Sequence, residues 1–149
     1  MRLVHLLAAA ALFSTASVIA APTAGFVSSE GTGAGSEADA ILSKRAIDTA
    51  LISGIRSAGG DVNPTKPGYP VVEVTLSILY VPKLDGFRSV VYSIALRDEV
   101  TYHGKTVPVG VCGFNAVRWN AGENETAHVQ ALLQHARDLG ATFAKACLK

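Results

Sequence analysis

The stretch Val71–Val81, V-V-E-V-T-L-S-I-L-Y-V, decides the fold because its side chains alternate between two classes. The even positions carry large apolar side chains: Val72, Val74, Leu76, Ile78 and Tyr80. The odd positions are mostly polar and include Glu73, Thr75 and Ser77. Successive side chains of a β-strand point to opposite faces of the sheet. The alternation therefore predicts a strand with one face buried.

The same pattern returns in residues 88–96, where the apolar positions are Val90, Tyr92, Ile94 and Leu96. Residues 82–86 between the two runs contain Asp85-Gly86, a hairpin signal. We expect the second strand to continue to Tyr102 and to turn at residues 103–105. A third strand is predicted over residues 107–119. Pro108, Gly110 and Gly113 interrupt this third strand, which favours an edge position or a bulge.

Two amphipathic helices flank the strands. The first is predicted to begin after an N-cap at Ser36, with Glu37 and Asp39 in its first turn, and to end at Gly59-Gly60. The second follows a turn at residues 120–125, and its apolar positions from Val129 to Cys147 share one face. The predicted fold class is α+β, a three-stranded antiparallel meander with two helices on one face, in the order α-β-β-β-α.

The start of the 149-residue chain is typical of an exported protein. Residues 1–24 combine Arg2, an apolar run and small residues that fit cleavage after Ala20 or Ala24, so a signal peptide is predicted. Residues 25–35 are rich in Gly and Ser and are predicted to be a flexible linker. Residues 36–149 form the predicted single domain, with no stable membrane span in the mature chain. Residues 124–126 match a glycosylation sequon, which is meaningful only if a eukaryote exports the chain.

Charge argues against a nucleic-acid partner. The formal net charge is +1, and removal of residues 1–24 removes Arg2, which leaves 12 basic and 12 acidic side chains. Proteins that bind phosphate backbones need a concentrated basic surface. We therefore expect no nucleic acid among the partners of this chain.

The two cysteines, Cys112 and Cys147, are predicted to form a disulfide. They do not form a C-x-x-C motif, and no histidine is close to either in sequence. An exported chain meets an oxidising compartment, and an even number of cysteines fits pairing there. Cys147 lies on the apolar face of its helix. This face is expected to pack on the sheet, where a cysteine of the third strand could reach it. The alternative interpretation is a reactive thiol or a ligand pair.

Three histidines of the mature chain are candidates for acid or base chemistry: His103, His128 and His135. Glu125 and His128 have the i, i+3 spacing of carboxylate metal sites, but one pair does not make a site. No G-x-S-x-G or H-E-x-x-H motif is present. The sequence therefore predicts no catalytic residue, no metal ligand and no cofactor, and a small secreted enzyme remains an alternative.

The polar face of the first two strands is a candidate partner surface. It consists of small, lightly charged positions: Thr75, Ser77, Ser89, Val91 and Ser93, with Leu79 and Ala95 between them. If both helices cover the other face, this one meets solvent, a protein partner or a second copy of the chain. A solvated sheet face is the simpler alternative.

The order of elements resembles that of small exported bacterial periplasmic domains. The residues that carry the resemblance are the leader, the segment I-L-S-K-R-A-I-D-T-A-L-I-S-G-I-R-S-A-G-G, the strand V-V-E-V-T-L-S-I-L-Y-V, the further strand pair and the closing helix. The amino-terminal domain of TolB has this arrangement, although the present chain lacks its propeller and has two cysteines. The resemblance implies a periplasmic accessory or binding role and transfers no functional residue. A secreted effector or inhibitor is the second alternative.

Overall fold

A computed structural model describes residues 23–31 and 42–149, except residues 82, 85 and 123. Over these residues the chain forms five strands and two helices. In chain order they are β1 (Ala24–Glu30), α1 (Lys44–Ser57), β2 (Val62–Asn63), β3 (Val71–Val81), β4 (Phe87–Tyr102), β5 (Lys105–Asn120) and α2 (Glu125–Cys147). The predicted signal peptide lies almost wholly outside the described residues.

The strands form one mixed sheet in the order β2-β1-β3-β4-β5. β1 pairs in parallel with both β2 and β3, whereas β3, β4 and β5 pair antiparallel. The α+β class is therefore confirmed. The predicted three-stranded antiparallel meander is wrong as a description of the sheet, because the meander is joined by two further parallel strands. The observed order of elements is β-α-β-β-β-β-α.

The additional interior strand, β1, comes from residues predicted to be signal peptide or linker. Residues 25–30, which were expected to be flexible, pair with β3 from Gly25 opposite Val71 to Glu30 opposite Leu76. The side chains of Ala24 and Phe26 are buried in the core. Backbone pairing on both sides and burial of these two side chains stabilise the strand despite the low β-propensity of its Gly- and Ser-rich sequence. Residues 32–35 of the predicted linker lie outside the described residues.

α1 begins later than predicted. Its N-cap is Ser43, whose hydroxyl oxygen accepts a hydrogen bond from the Ala46 amide at 3.3 Å. Ser36, Glu37 and Asp39 precede this start and lie outside the described residues. The first turn instead carries Lys44, which forms an i, i+4 ion pair with Asp48 at 2.8 Å. The predicted end is confirmed, since α1 stops at Ser57 and Gly59 has a φ of +85°.

The core lies between the two helices and one face of the sheet. Six of the predicted inward positions of β3 and β4 are at most 1% exposed: Val72, Val74, Leu76, Val90, Tyr92 and Ile94. The other three, Ile78, Tyr80 and Leu96, are only partly buried. α1 contributes Ile47, Leu51 and Ile55, and α2 contributes Leu132, Ala136 and Phe143. Both helices therefore cover the same face, and the opposite face, which we call the open face, carries the odd-numbered side chains of β3.

The two long strands β4 and β5 extend beyond the rest of the sheet. β3 begins opposite Arg97, so residues 98–102 of β4 pair only with residues 105–109 of β5. We call this two-stranded extension, residues 98–109, the arm. A two-residue turn closes it, with φ values of 48° at His103 and 74° at Gly104, as hairpins of this length require. The register shifts at the base of the arm, where Val111 is the extra residue of β5. The predicted irregularity and edge position of the third strand are therefore confirmed.

Cys112 of β5 and Cys147 of α2 lie at disulfide distance, with their Cα atoms 5.6 Å apart. This confirms the predicted pairing. The bond joins the end of α2 to the sheet just below the arm. No helix in the described part of the chain is both long and apolar enough to cross a membrane.

Candidate interaction surface

The open face brings together the five residues predicted to form a partner surface. The antiparallel register of β3 and β4 places Thr75 opposite Ser93, Ser77 opposite Val91, and Leu79 opposite Ser89. Their side chains point away from both helices, because the neighbouring even-numbered residues are buried in the core. The result is a flat central area of small side chains.

An apolar patch extends this area onto β5 and was not found from the sequence. Val117 lies opposite Val91, and Trp119 lies opposite Ser89. The ring of Trp119 stacks on that of Phe87, with centroids 6.1 Å apart and planes 25° apart. Trp119 is 62% exposed and Val117 61% exposed. We call these four residues, Phe87, Val91, Val117 and Trp119, the apolar patch.

The other parts of the open face carry polar and charged groups and the exposed side chain of Val27. Ser29 of β1 lies beside Thr75, with their hydroxyl oxygens 3.3 Å apart. At the end of the face nearest the arm, Arg97 forms an ion pair with Glu73 across β3 and β4. This pair accounts for Arg97 in the charged run 97–99. The apolar patch therefore lies at the opposite end of the face from its charges.

A buried arginine closes the edge of the core beneath the start of α2. Arg88 is 1% exposed and forms an ion pair with Glu125. Its guanidinium also donates a 3.1 Å hydrogen bond to the Gly86 carbonyl and lies 4.4 Å from the centroid of the Tyr80 ring. Glu125 is thus engaged by Arg88, which explains its position in the first turn of α2 without a metal. The sequence pattern gave no sign of a buried cation at this position.

Three polar groups are buried between α2 and the sheet. The Tyr92 hydroxyl, His128 Nδ1 and His135 Nε2 have no hydrogen-bond partner among the described residues. The rings of Tyr92 and His135 are in contact, with centroids 5.8 Å apart. Burial raises the pKa of the Tyr92 hydroxyl above its usual range. Burial, followed by the nearby Arg118 cation, lowers the pKa of His135, and Asp138 opposes this shift. Both groups are therefore held in their neutral forms near pH 7.

The three candidate histidines do not form one site. His103 lies at the tip of the arm, whereas His128 and His135 belong to α2 and each have a buried ring nitrogen. In the described part of the chain, no group of three or more His, Cys, Asp or Glu side chains is arranged to hold a metal ion. The structure brings the partner-face residues together and leaves the histidines apart.

Comparisons with known proteins add no functional assignment. No protein-family model and no curated protein matches this chain. Among solved structures, the crystal structure of an uncharacterized protein is similar over 84% of this chain and 94% of its own, at 11% sequence identity and a TM-score of 0.41.

Proposed function

We propose that the protein is an exported, non-enzymatic binding or accessory protein of the cell envelope or periplasm, and that the open face contacts a protein partner. The observation that carries the proposal is the apolar patch, in which a tryptophan and a valine are each more than half exposed beside a stacked phenylalanine. Clustered apolar side chains on a protein surface mark interaction sites more often than scattered ones do.

The shape of the open face supports a protein as the partner. Small side chains at Ser77, Ser89 and Ser93 leave a flat surface beside the patch. A flat surface with one exposed aromatic anchor matches the anatomy of protein–protein interfaces, where tryptophan is enriched among the residues that contribute most to affinity. Polar hydroxyls around the anchor would form the rim.

Export is supported by the leader pattern of residues 1–24 and by the cysteine pair, which suits an oxidising compartment. The position of Ala24 also bears on cleavage. Ala24 is the first residue of β1 and is buried. Cleavage after Ala20 leaves this strand whole, whereas cleavage after Ala24 removes its first residue. We therefore propose Ala20 as the end of the leader.

Binding through the open face is tested with the mature protein, residues 21–149, immobilised and exposed to envelope proteins of the cell that produces it. Candidates identified by mass spectrometry are then purified and their affinities measured. We expect Trp119→Ala and Val117→Lys each to weaken binding by at least about tenfold, since truncating an interface anchor typically costs about 2 kcal/mol.

Gln130→Lys is the matched control, because it adds the same charge at an exposed position of α2 and should leave the affinity unchanged. Circular dichroism of each variant establishes that its fold is retained. Wild-type affinity in both open-face variants would contradict the proposal. A partner that comes from another organism would indicate the effector or inhibitor alternative.

A further inference from the structure

The arm presents an apolar side that nothing in the described chain covers. Alternation along β4 places Asp98, Val100 and Tyr102 on the same side as the buried Ile94 and the partly buried Leu96. Their partners on β5, Val109, Val107 and Lys105, face the same way. We call this the inner side of the arm. The two helices cover the inner side of the sheet only as far as the base of the arm, so Tyr102 is 66% exposed and Val100 is 45% exposed.

A cavity lies at the base of the arm on this same side. It has a volume of about 140 Å³ and is lined by residues that include Asp61, Leu96, Asp98, Cys147 and Leu148. Its lining combines apolar side chains and the disulfide with two carboxylates and the side chain of Lys149. A cavity of this lining and size suits a single aromatic side chain with a polar end.

The charges of the inner side are separated along its length. The cavity at the base is lined by Asp61, Asp98 and Lys149, and the tip carries Lys105 beside His103. Within the arm itself, Asp98 and Lys105 both belong to the inner side, whereas Glu99 faces the other way, opposite Pro108. An arm with an acidic residue at its base, a basic residue at its tip and apolar side chains between them is complementary to a second arm that runs in the opposite direction.

We propose that two copies of this chain associate through their arms, packed antiparallel with inner side against inner side. A two-fold axis beside the Val100–Val107 pair brings Tyr102 of each copy over Asp98 of the other, because Tyr102 and Asp98 are each two residues from Val100. Tyr102 then enters the cavity at the base of the second arm, and Lys105 reaches Asp98 there. The contact is isologous, as two-fold dimers require.

This association is independent of the proposed function, since it buries the inner side of the arm and leaves the open face accessible on both copies. The occupant is a second copy rather than an unrelated protein because the arm supplies both halves of the contact: the aromatic side chain and the cavity, the lysine and the aspartate. Charge complementarity of this kind fixes the direction in which the two arms pair.

Sedimentation equilibrium of the mature protein across a hundredfold range of concentration tests the proposal. We expect a monomer–dimer equilibrium. In the Lys105→Glu variant, the glutamate of each copy would lie against Asp98 of the other copy. In the Asp98→Lys variant, the new lysine of each copy would lie against Lys105 of the other copy. Each variant alone should raise the dissociation constant at least about tenfold, since opposed like charges in an interface are costly.

An equimolar mixture of the two variants provides the decisive measurement. In a mixed dimer, Glu at position 105 meets Lys at position 98, and the native Lys105 meets the native Asp98. Mixing should therefore restore association. Glu99→Lys, on the other side of the arm, is the matched control and should dimerise as the wild type does. Tyr102→Ala, at an exposed position that the fold does not need, should weaken the dimer comparably.

Three results would overturn the proposal. A wild-type protein that stays monomeric over the whole range has no such interface. A dimer that survives both Lys105→Glu and Asp98→Lys uses another surface. If both variants are monomeric and their mixture is also monomeric, then residue 105 of one copy does not contact residue 98 of the other, and the antiparallel packing is wrong.

Discussion

Gly54 of α1 and Gly140 of α2 hold the two helices in direct backbone contact, each lying against a carbonyl of the opposite helix. A Cβ atom on Gly54 would overlap the Arg137 carbonyl oxygen, and one on Gly140 would overlap the Leu51 carbonyl oxygen. The relationship is reciprocal, since each glycine lies three residues after the residue that the other contacts. The helices can approach this closely only while both positions lack a side chain.

The first prediction concerns these glycines. Gly54→Ala and Gly140→Ala should each destabilise the protein by about 1–3 kcal/mol, because the helices must separate to admit the methyl group and the core then packs less well. Alanine has the higher helix propensity, which would otherwise favour both changes. Urea unfolding measures the difference. Gly110→Ala, where an added Cβ meets nothing within 4 Å, is the control and should change stability little. Unchanged stability in both helix variants would contradict this account.

The second prediction concerns Arg88 and Glu125. Glu125→Gln should destabilise the protein by about 1–2 kcal/mol although its side chain is half exposed, because the guanidinium that it neutralises is buried. Thermal unfolding with and without the change measures this. Glu99→Gln, at an exposed position of the arm, removes the same charge and should fall within about 0.5 kcal/mol of the wild type. Equal effects of the two changes would show that the ion pair contributes nothing.

The third prediction concerns the Cys112–Cys147 bond, which closes a loop with a sequence separation of 35. Its loss should lower the free energy of unfolding by about 3–4 kcal/mol on the chain-entropy model. The double variant Cys112→Ala, Cys147→Ala, compared with the wild type in urea, measures the loss. A reducing agent should weaken the wild type and leave the double variant unaffected. Mass spectrometry of a non-reduced digest should detect the peptides of Cys112 and Cys147 linked to each other. Two free thiols in the native protein would contradict the pairing.

The fourth prediction concerns pH. Burial and Arg118 lower the pKa of His135 below 6.5, so the unfolded chain takes up this proton at a higher pH than the folded protein does. Stability should therefore be constant above about pH 7 and fall as the pH drops from 6.5 toward the lowered pKa. Urea midpoints at pH 7.5 and pH 5 measure the difference. His135→Gln should reduce it, and His103→Gln, on the exposed arm, controls for loss of a histidine from the chain. If the urea midpoints at the two pH values differ by the same amount in the wild type and in His135→Gln, then His135 is not the source of the pH dependence.

Local patterns in the sequence were sufficient for the meander. The alternation of residues 71–81 predicted β3 with its observed bounds, because a strand with one buried face requires apolar residues at alternate positions. The same alternation in residues 88–96 predicted that Ser89, Val91 and Ser93 of β4 share a face with Thr75 and Ser77 of β3, and the observed register places them together. In these strands the interacting residues are near neighbours in a strand or a hairpin. The cysteine pair was predicted on other grounds, namely the even number of cysteines, the expected oxidising compartment and the apolar helical face of Cys147.

The missed features depend on contacts between distant segments. β1 has only two buried apolar side chains, Ala24 and Phe26, and its partners lie after α1, so nothing within residues 24–30 marks a strand. The apolar patch was missed for a related reason. Residues 114–119 do not alternate regularly, because Ala116 and Val117 are adjacent apolar residues. The observed pairing of Val117 with Val91 is what assigns Trp119 to the open face. Arg88 gave no signal, because a cation at an inward position is tolerated only once Glu125 is folded against it.

The parallel pairing of β1 has a consequence for the order in which the chain folds. β3, β4 and β5 are joined by short turns, so they can pair as soon as they are made, whereas β1 must wait until α1 and the loop that follows it have closed. Contacts between segments far apart in the chain slow folding. Among the described strands β1 comes first in the chain, and it should be the last to be incorporated, inserted between β2 and β3 only after the hairpins exist. Until then the β3 edge of the nascent sheet stays open, and the interval before β1 closes it is when the chain is most exposed to mispairing.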